Sequence, residues 1–376
     1  MVKRILNIIS DQNIGGAGKC LINMAKYYDK ERFLMETAVP AGSALIPELE
    51  AFGMKVYEVE AIADRSFSFG DMKTLKKLVK TVDPDLVHTH GAFSGRVAAK
   101  RCGKPVVYTR HSVFEVNPKL KKGLGRLINK KINEHYADAI IAVTEAAKKN
   151  LTDGGISPSL IIPLDNGVDP VTRCSDSEVA VFQKQWRIAE DDFVMAILAR
   201  IEPYKGHLLL IEAAAALAAE GRKFKLIIAG TGSFEAEVKE QVKARGLADY
   251  IIFLGFTKEV PLILSVADVQ MNASYGTEAC SIALLEGFSM GVPVIASDYG
   301  GNPYAIDDGA DGLLFESRNA EDLAAKMRLL MEDSALRERL GKGAKEIYSR
   351  RFTGEIYARN VEAVYEKVLE GGLYAK

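Results

Sequence analysis

Cysteine is scarce in this chain of 376 residues: Cys20, Cys102, Cys174 and Cys280 are the four present, and no two form a C-x-x-C pair. That spacing argues against a disulfide framework and against a cysteine zinc site. Long apolar runs are missing too. No stretch approaches the roughly 20 apolar residues that span a bilayer. The run that follows Lys3 and Arg4 stops at Asp11, too soon for the core of an export signal. Charge of one sign is also lacking, since 49 Lys+Arg stand against 50 Asp+Glu for a net charge of −1. No overall field draws the chain to nucleic acid, and no RNA- or DNA-binding motif stands out. Low-complexity tracts and solenoid repeats are absent. A cytoplasmic location is the expectation.

What is present is an ordinary globular balance, 48% hydrophobic and 26% charged. The length exceeds the roughly 250–300 residues at which single cores stop growing, so two domains with a cleft available between them are expected. Short apolar β-type runs at 4–9, 34–39, 55–59, 86–88, 105–108 and 139–143 alternate with amphipathic stretches. The rhythm breaks over the polar segment 170–192. It resumes at 193–198, 224–229, 250–254, 269–272 and 292–296, followed by helical spacing from about 320 to 369. Alternation of this kind predicts α/β architecture, two doubly wound Rossmann-like domains with parallel sheets.

Ligands of such sheets bind beyond the carboxyl ends of the strands. Five places there carry chemistry. Gly15-Gly16-Ala17-Gly18 follows the first strand and opens a helix, where backbone N–H groups and the helix N-terminus suit a phosphate. It is no P-loop, because Asn13 stands at the first glycine position and Cys20 at the Ser/Thr position, and a plain glycine turn remains an alternative. His88 lies inside the strand at 86–88 with His90 just past it, and His111 follows the next strand. His88 reads as a hydrogen-bonded core residue. His111 is better placed, at a loop mouth, to meet a ligand, and His90 stands evenly between the two roles. Arg200 and Lys205 flank a short loop after the 193–198 strand, where two cations can hold a departing diphosphate in place of a metal. Glu278 and Glu286 in Gly276-Thr277-Glu278-Ala279-Cys280-Ser281-Ile282-Ala283-Leu284-Leu285-Glu286 are the fifth. Eight helical steps advance about 80° beyond two turns, which would let both acids face one cleft at different depths.

Together these residues resemble the retaining glycosyltransferases of GT-B fold, the group 1 or family 4 type. The likeness runs through the early glycine loop, Asp85-Leu86-Val87-His88-Thr89-His90, Asn166-Gly167-Val168-Asp169, Arg200 with Lys205-Gly206, Ala229-Gly230-Thr231-Gly232, and Glu278-x7-Glu286 with the following Gly291-Val292-Pro293. The resemblance implies an N-terminal acceptor-binding domain over 1–169, a C-terminal donor-binding domain over 170–354, and a last helix at about 355–376 crossing back to the first. It implies that Glu278 holds donor-sugar hydroxyls, Glu286 the ribose, and Arg200 and Lys205 the diphosphate. Gly15 and Gly16 would approach the phosphates, His111 would lie near the transferred bond, and Gly230, Gly232, Cys280, Ser281 and Ile282 would line the nucleotide. His90 and Asn166 are acceptor candidates. Two departures bear on the sugar: Ala279-Cys280-Ser281 replaces the usual Gly-Phe-Gly, and Tyr304 stands where Glu is common after Gly300-Gly301-Asn302-Pro303.

The implied reaction moves a hexose-type sugar from a nucleotide-diphosphate donor, with UDP the default on family frequency, to an acceptor hydroxyl with retention. No metal and no cofactor are expected, and Asp83-Pro84-Asp85 reads as a turn. A nucleotide-sugar epimerase of the same fold and a non-catalytic sugar-nucleotide-binding protein are the alternatives. A dinucleotide oxidoreductase would need a third glycine after Gly230 and Gly232. Finally, 119–132 places Leu120, Leu124, Leu127, Ile128 and Ile132 at helical spacing among six cations. A stripe packed on its own domain is the simpler expectation. The other is an anionic membrane surface at the inner face of the cell, which would suit lipid-linked or polysaccharide acceptors.

Overall fold

A computed structural model describes residues 1–60, 67–113 and 116–371. The chain divides into two compact units, Met1–Val168 with Phe352–Lys376, and Asp169–Arg351.

The first unit is built on a seven-stranded sheet in the order β3-β2-β1-β4-β5-β6-β7. Its strands are β1 (Lys3–Ile9), β2 (Phe33–Pro40), β3 (Lys55–Val59), β4 (Leu86–His90), β5 (Val106–Arg110), β6 (Ala139–Ala142) and β7 (Ile161–Pro163). Every pairing is parallel, with Asn7 opposite His88 and Ile9 opposite His90. Parallel strands are covered on both faces, which is why β1 reads as a nearly continuous apolar run with five buried residues in succession. Fully burying each of Ile5, Leu6, Ile8 and Ile9 contributes about 1.5–3 kcal/mol.

The final helix, Gly354–Leu369, belongs to this unit. Tyr365 packs edge-on to Phe33, and its hydroxyl lies 2.7 Å from His88 Nδ1. Glu362 accepts from the Asp29 backbone N–H at 2.6 Å, and Arg32 pairs with both Glu362 and Glu366. Gly167 sits so close to the start of this helix that a Cβ there would lie 2.3 Å from the Thr353 carbonyl oxygen.

The second unit carries a six-stranded parallel sheet in the order β10-β9-β8-β11-β12-β13. These are β8 (Phe193–Leu198), β9 (Phe224–Ala229), β10 (Ile251–Gly255), β11 (Val269–Asn272), β12 (Val294–Ser297) and β13 (Leu313–Phe315). Its core joins strand residues Met195, Ile197, Leu226 and Ile228 to Leu210, Ala214 and Leu217 of the His207–Ala219 helix.

In both sheets the strand order reverses beside the first strand, between β1 and β4 and between β8 and β11. A crevice opens at such a reversal because the connections leave in opposite directions. β4 and β5 run two residues further than the apolar pattern suggests, so His90 is the last, buried residue of its strand rather than a loop residue.

Candidate functional site

In the second unit the reversal brings the loop after β8 against the loop after β11. Lys205 Nζ and Glu278 Oε2, 73 residues apart in the chain, form a 2.8 Å ion pair, with side chains only 18% and 5% exposed. Ser274 Oγ donates to the same Oε2 at 2.8 Å and Asn272 Nδ2 at 3.5 Å. These three bonds all converge on Oε2, and Oε1 takes part in none of them. Burial pushes the Glu278 carboxyl up, but the Lys205 charge and the three hydrogen bonds outweigh it and hold the group below its ordinary value.

The backbone around Glu278 is locked from both sides. Gly300 approaches it at φ +64°, and a Cβ there would meet the Glu278 carbonyl oxygen at 2.2 Å, while Gly301 donates its N–H to that oxygen at 3.1 Å. Thr277 just before it sits at φ +54°. A β-branched residue in that region is strained, and such strain collects where the surroundings fix a side chain for use. On the facing loop, Gly206 at φ +75° leaves no room for a Cβ, which would lie 2.0 Å from the Ala273 carbonyl oxygen. That close approach sets Lys205 beside Glu278.

Arg200 is exposed at the end of β8, its guanidinium 3.3 Å from the Tyr204 hydroxyl. Gly230 and Gly232 are packed against backbone, with a Cβ at either meeting the Ala199 or Ile201 carbonyl oxygen at 2.0 or 2.1 Å. Ser281 caps the Ile282–Met290 helix by accepting from the Leu284 N–H, Cys280 is half-buried beside it, and Ile282 is buried. Glu286 is half-buried on that helix among buried Leu284, Leu285 and Phe288, whereas Met290 is part-exposed. Glu278 lies in the loop before this helix and Glu286 on it, as the sequence leads one to expect, but with the helix starting at Ile282 the angle of eight helical steps does not describe how the two acids are related.

Sequence reasoning missed the buried polar layer beneath Glu278. Asn302 Nδ2 donates to the Ser297 carbonyl at 3.0 Å, and its Oδ1 accepts from Asn272 at 3.4 Å. The available signal was a polar residue closing each apolar strand, Asn272 for β11 and Ser297 for β12.

In the first unit, Gly15 and Gly16 are exposed at the start of the 12-residue helix Gly16–Tyr27, just past β1 at the reversal point, with no side chain capping the first turn. His90 and His111 stack with ring centroids 5.3 Å apart and share a 3.0 Å hydrogen bond. Burial lowers His111 to about 4, so its imidazole is neutral at pH 7. His88 lies in the core, bonded to Tyr365 and, at 2.6 Å, to Thr109 Oγ1. Asn166 is buried as well, and its Oδ1 accepts from Cys20 Sγ at 3.2 Å within the same unit.

The basic segment departs from the simpler expectation. It forms helices at Pro118–Lys121 and Gly123–His135 in which no residue is buried. Leu124, Leu127, Ile128 and Ile132 are 72%, 57%, 49% and 40% exposed. The longer helix is held by its polar side instead. Asn129 donates to the Gly154 carbonyl at 2.7 Å, Arg96 binds the Asn133 side chain at 3.1 Å, and Glu134 accepts from the Ser157 N–H at 3.1 Å. With those bonds facing inward, the apolar stripe faces out. No helix among the described residues is long and apolar enough to cross a membrane.

Comparison with known proteins bears on the family and the fold. Residues 14–171 match the Glycosyltransferase Family 4 model and residues 179–347 the model for Glycosyl transferases group 1. A D-inositol 3-phosphate glycosyltransferase of Geodermatophilus obscurus is 30% identical over 308 residues, covering 76% of this chain and 67% of that protein. The crystal structure of Anabaena HepE in complex with UDP and glucose superposes with a TM-score of 0.84 at 23% identity, covering 97% of this chain and 99% of that one. A glycosyltransferase structure from Rickettsia africae superposes with a TM-score of 0.85 at 21% identity, covering 99% of this chain and 100% of that one. The fold these structures share with this chain is GT-B.

Proposed function

The chain belongs to the group 1 glycosyltransferases, with a family 4 N-terminal half, and from that premise we propose that it transfers a hexose-type sugar from UDP to an acceptor hydroxyl with retention and without a metal. The observation that carries this reading is the buried Lys205–Glu278 pair at the reversal of the second sheet, with Arg200 on the adjoining strand end. An ammonium has three N–H donors, and Glu278 takes one. The remaining two, with the Arg200 guanidinium, would neutralise the departing diphosphate. Glu278 Oε1 would accept from a donor-sugar hydroxyl, and Glu286 from the ribose. Gly15 and Gly16 would approach the phosphates. His111 would meet the sugar near the transferred bond.

In that reaction the acceptor oxygen bonds to the anomeric carbon as the bond from that carbon to the diphosphate oxygen breaks. The hydroxyl proton passes to the departing phosphate. Thermal-shift screening against nucleotides and nucleotide sugars tests the donor. UDP at 100 times its dissociation constant should stabilise the protein by about 2.7 kcal/mol. No shift with UDP, beside a clear one with another nucleotide, would overturn the choice of base.

The outward stripe of Leu124, Leu127, Ile128 and Ile132 is flanked by Lys119, Lys121, Lys122, Arg126, Lys130 and Lys131. An apolar face rimmed by cations complements an anionic bilayer surface, each nearby cation contributing about 1 kcal/mol. The enzyme would then act on a lipid-linked acceptor from the cytoplasmic face of the membrane, in polysaccharide synthesis.

A further inference from the structure

Strand β1 is apolar from Ile5 to Ile9 except at Asn7, which is 1% exposed. A polar residue buried there needs partners, and it has two. Asn7 Nδ2 donates to the Glu36 carbonyl at 3.4 Å, and Oδ1 lies 3.4 Å from His90 Nε2. The first contact fixes the amide, because turning it over would set two oxygens against each other.

The protonation of both histidines follows from that orientation. A neutral imidazole carries a proton on one nitrogen and a lone pair on the other. Facing Asn7 Oδ1, His90 Nε2 must be the protonated nitrogen. His90 Nδ1 is therefore an acceptor, and the nitrogen 3.0 Å from it, His111 Nε2, must donate. His111 Nδ1 is left as a bare lone pair. It is a buried atom with no hydrogen-bond partner, at the carboxyl end of the sheet beside the strand-order reversal. Burial keeps both rings neutral, as the chain of bonds requires.

We infer that Asn7 is a positioning residue which, through His90, holds His111 as its Nε2–H tautomer so that Nδ1 accepts a hydrogen bond from a substrate hydroxyl. The substrate half of this statement rests on the glycosyltransferase reading above. The tautomer half does not.

Nitrogen-15 NMR of the free full-length protein, labelled at histidine, reads the tautomers directly. His111 should show a protonated Nε2 and an unprotonated Nδ1, and the reverse assignment would overturn the inference whatever the enzyme does. In Asn7→Leu, of similar volume but without an acceptor, a His111 Nδ1–H signal should appear and kcat with UDP-glucose should fall several-fold while KM stays within about twofold. An unchanged tautomer in that variant, or an altered tautomer with unchanged kcat, would also overturn it. Should the variant not fold, the wild-type spectrum decides. A wild type with the expected tautomer and no turnover of any nucleotide sugar would count against the functional reading alone.

Discussion

Replacing Lys205 by methionine keeps much of the packing of its aliphatic stem and deletes its charge. Glu278 would then be left as a buried carboxylate, its side chain 5% exposed, with only Ser274 and Asn272 as donors. Removing one partner of a buried pair costs about 3–5 kcal/mol, and the two surviving hydrogen bonds favour the lower end, about 3 kcal/mol. For a unit the size of Asp169–Arg351 that corresponds to a fall of roughly 6–12 °C in its melting transition. The cost must depend on pH. In the wild type the Glu278 carboxyl is held below its ordinary value, so it contributes stability above the unfolded pKa that is lost as pH falls through the folded one. Without Lys205, burial dominates and raises the folded pKa, so the variant loses stability as pH rises through that value. The deficit should therefore be largest at pH 7.5 and shrink towards pH 5. Calorimetry of wild type, Lys205→Met, Glu278→Gln and the double variant at both pH values measures this. The double variant should recover part of the loss, since no uncompensated charge remains. An equal deficit at both pH values, or a double variant worse than the sum of the singles, would refute the reasoning.

Three further outcomes follow from other parts of the molecule. Wild-type protein should co-sediment with vesicles rich in phosphatidylglycerol, less so as salt rises. Changing Lys121, Lys122, Lys130 and Lys131 to Glu should abolish that binding, and equal indifference of both proteins to anionic and neutral vesicles would reject the membrane surface. His207 is 1% exposed with neither ring nitrogen hydrogen-bonded, and burial lowers it to about 4. Between about pH 6.5 and 4 the unfolded chain therefore binds a proton there that the folded one does not, lowering stability as pH falls. His207→Leu should be close to neutral at pH 7.5 and narrow the loss of the urea midpoint between pH 7.5 and pH 5; an unchanged acid sensitivity would contradict this. Activity should persist in excess chelator, and a complete loss restored by added divalent metal would show that Arg200 and Lys205 do not supply the charge alone.

Much of this architecture is legible because buried parallel strands must be nearly all apolar. The stretches 193–198, 224–229 and 269–272 coincide with β8, β9 and β11. The edge strands Ile161–Pro163 and Leu313–Phe315 escape that reading, since three residues carry no period. The helix Asp176–Gln185 lies in the polar segment 170–192 with a single buried residue, Phe182. Its one sequence signal was the Ser175 and Glu178 capping box. At the site, the residue types at the strand ends are readable, but their partnerships are not. Nothing local shows that Lys205 and Glu278 share a bond, because the strand order creates that contact. The basic helix shows the same limit: its stripe is visible in sequence, but the outward direction is set by Asn129, Asn133 and Glu134 finding partners elsewhere in the fold.

The central claim is that Lys205 and Glu278 stabilise the departing diphosphate and hold the donor sugar, and turnover of a nucleotide sugar tests it most directly. UDP release from UDP-hexoses, with and without mixed acceptors, should be measured for wild type, Lys205→Ala and Glu278→Gln at a temperature where all three are folded. Each variant should lose at least about a hundredfold in kcat, the scale of removing one preorganised transition-state donor; near-normal turnover by either variant would contradict the account.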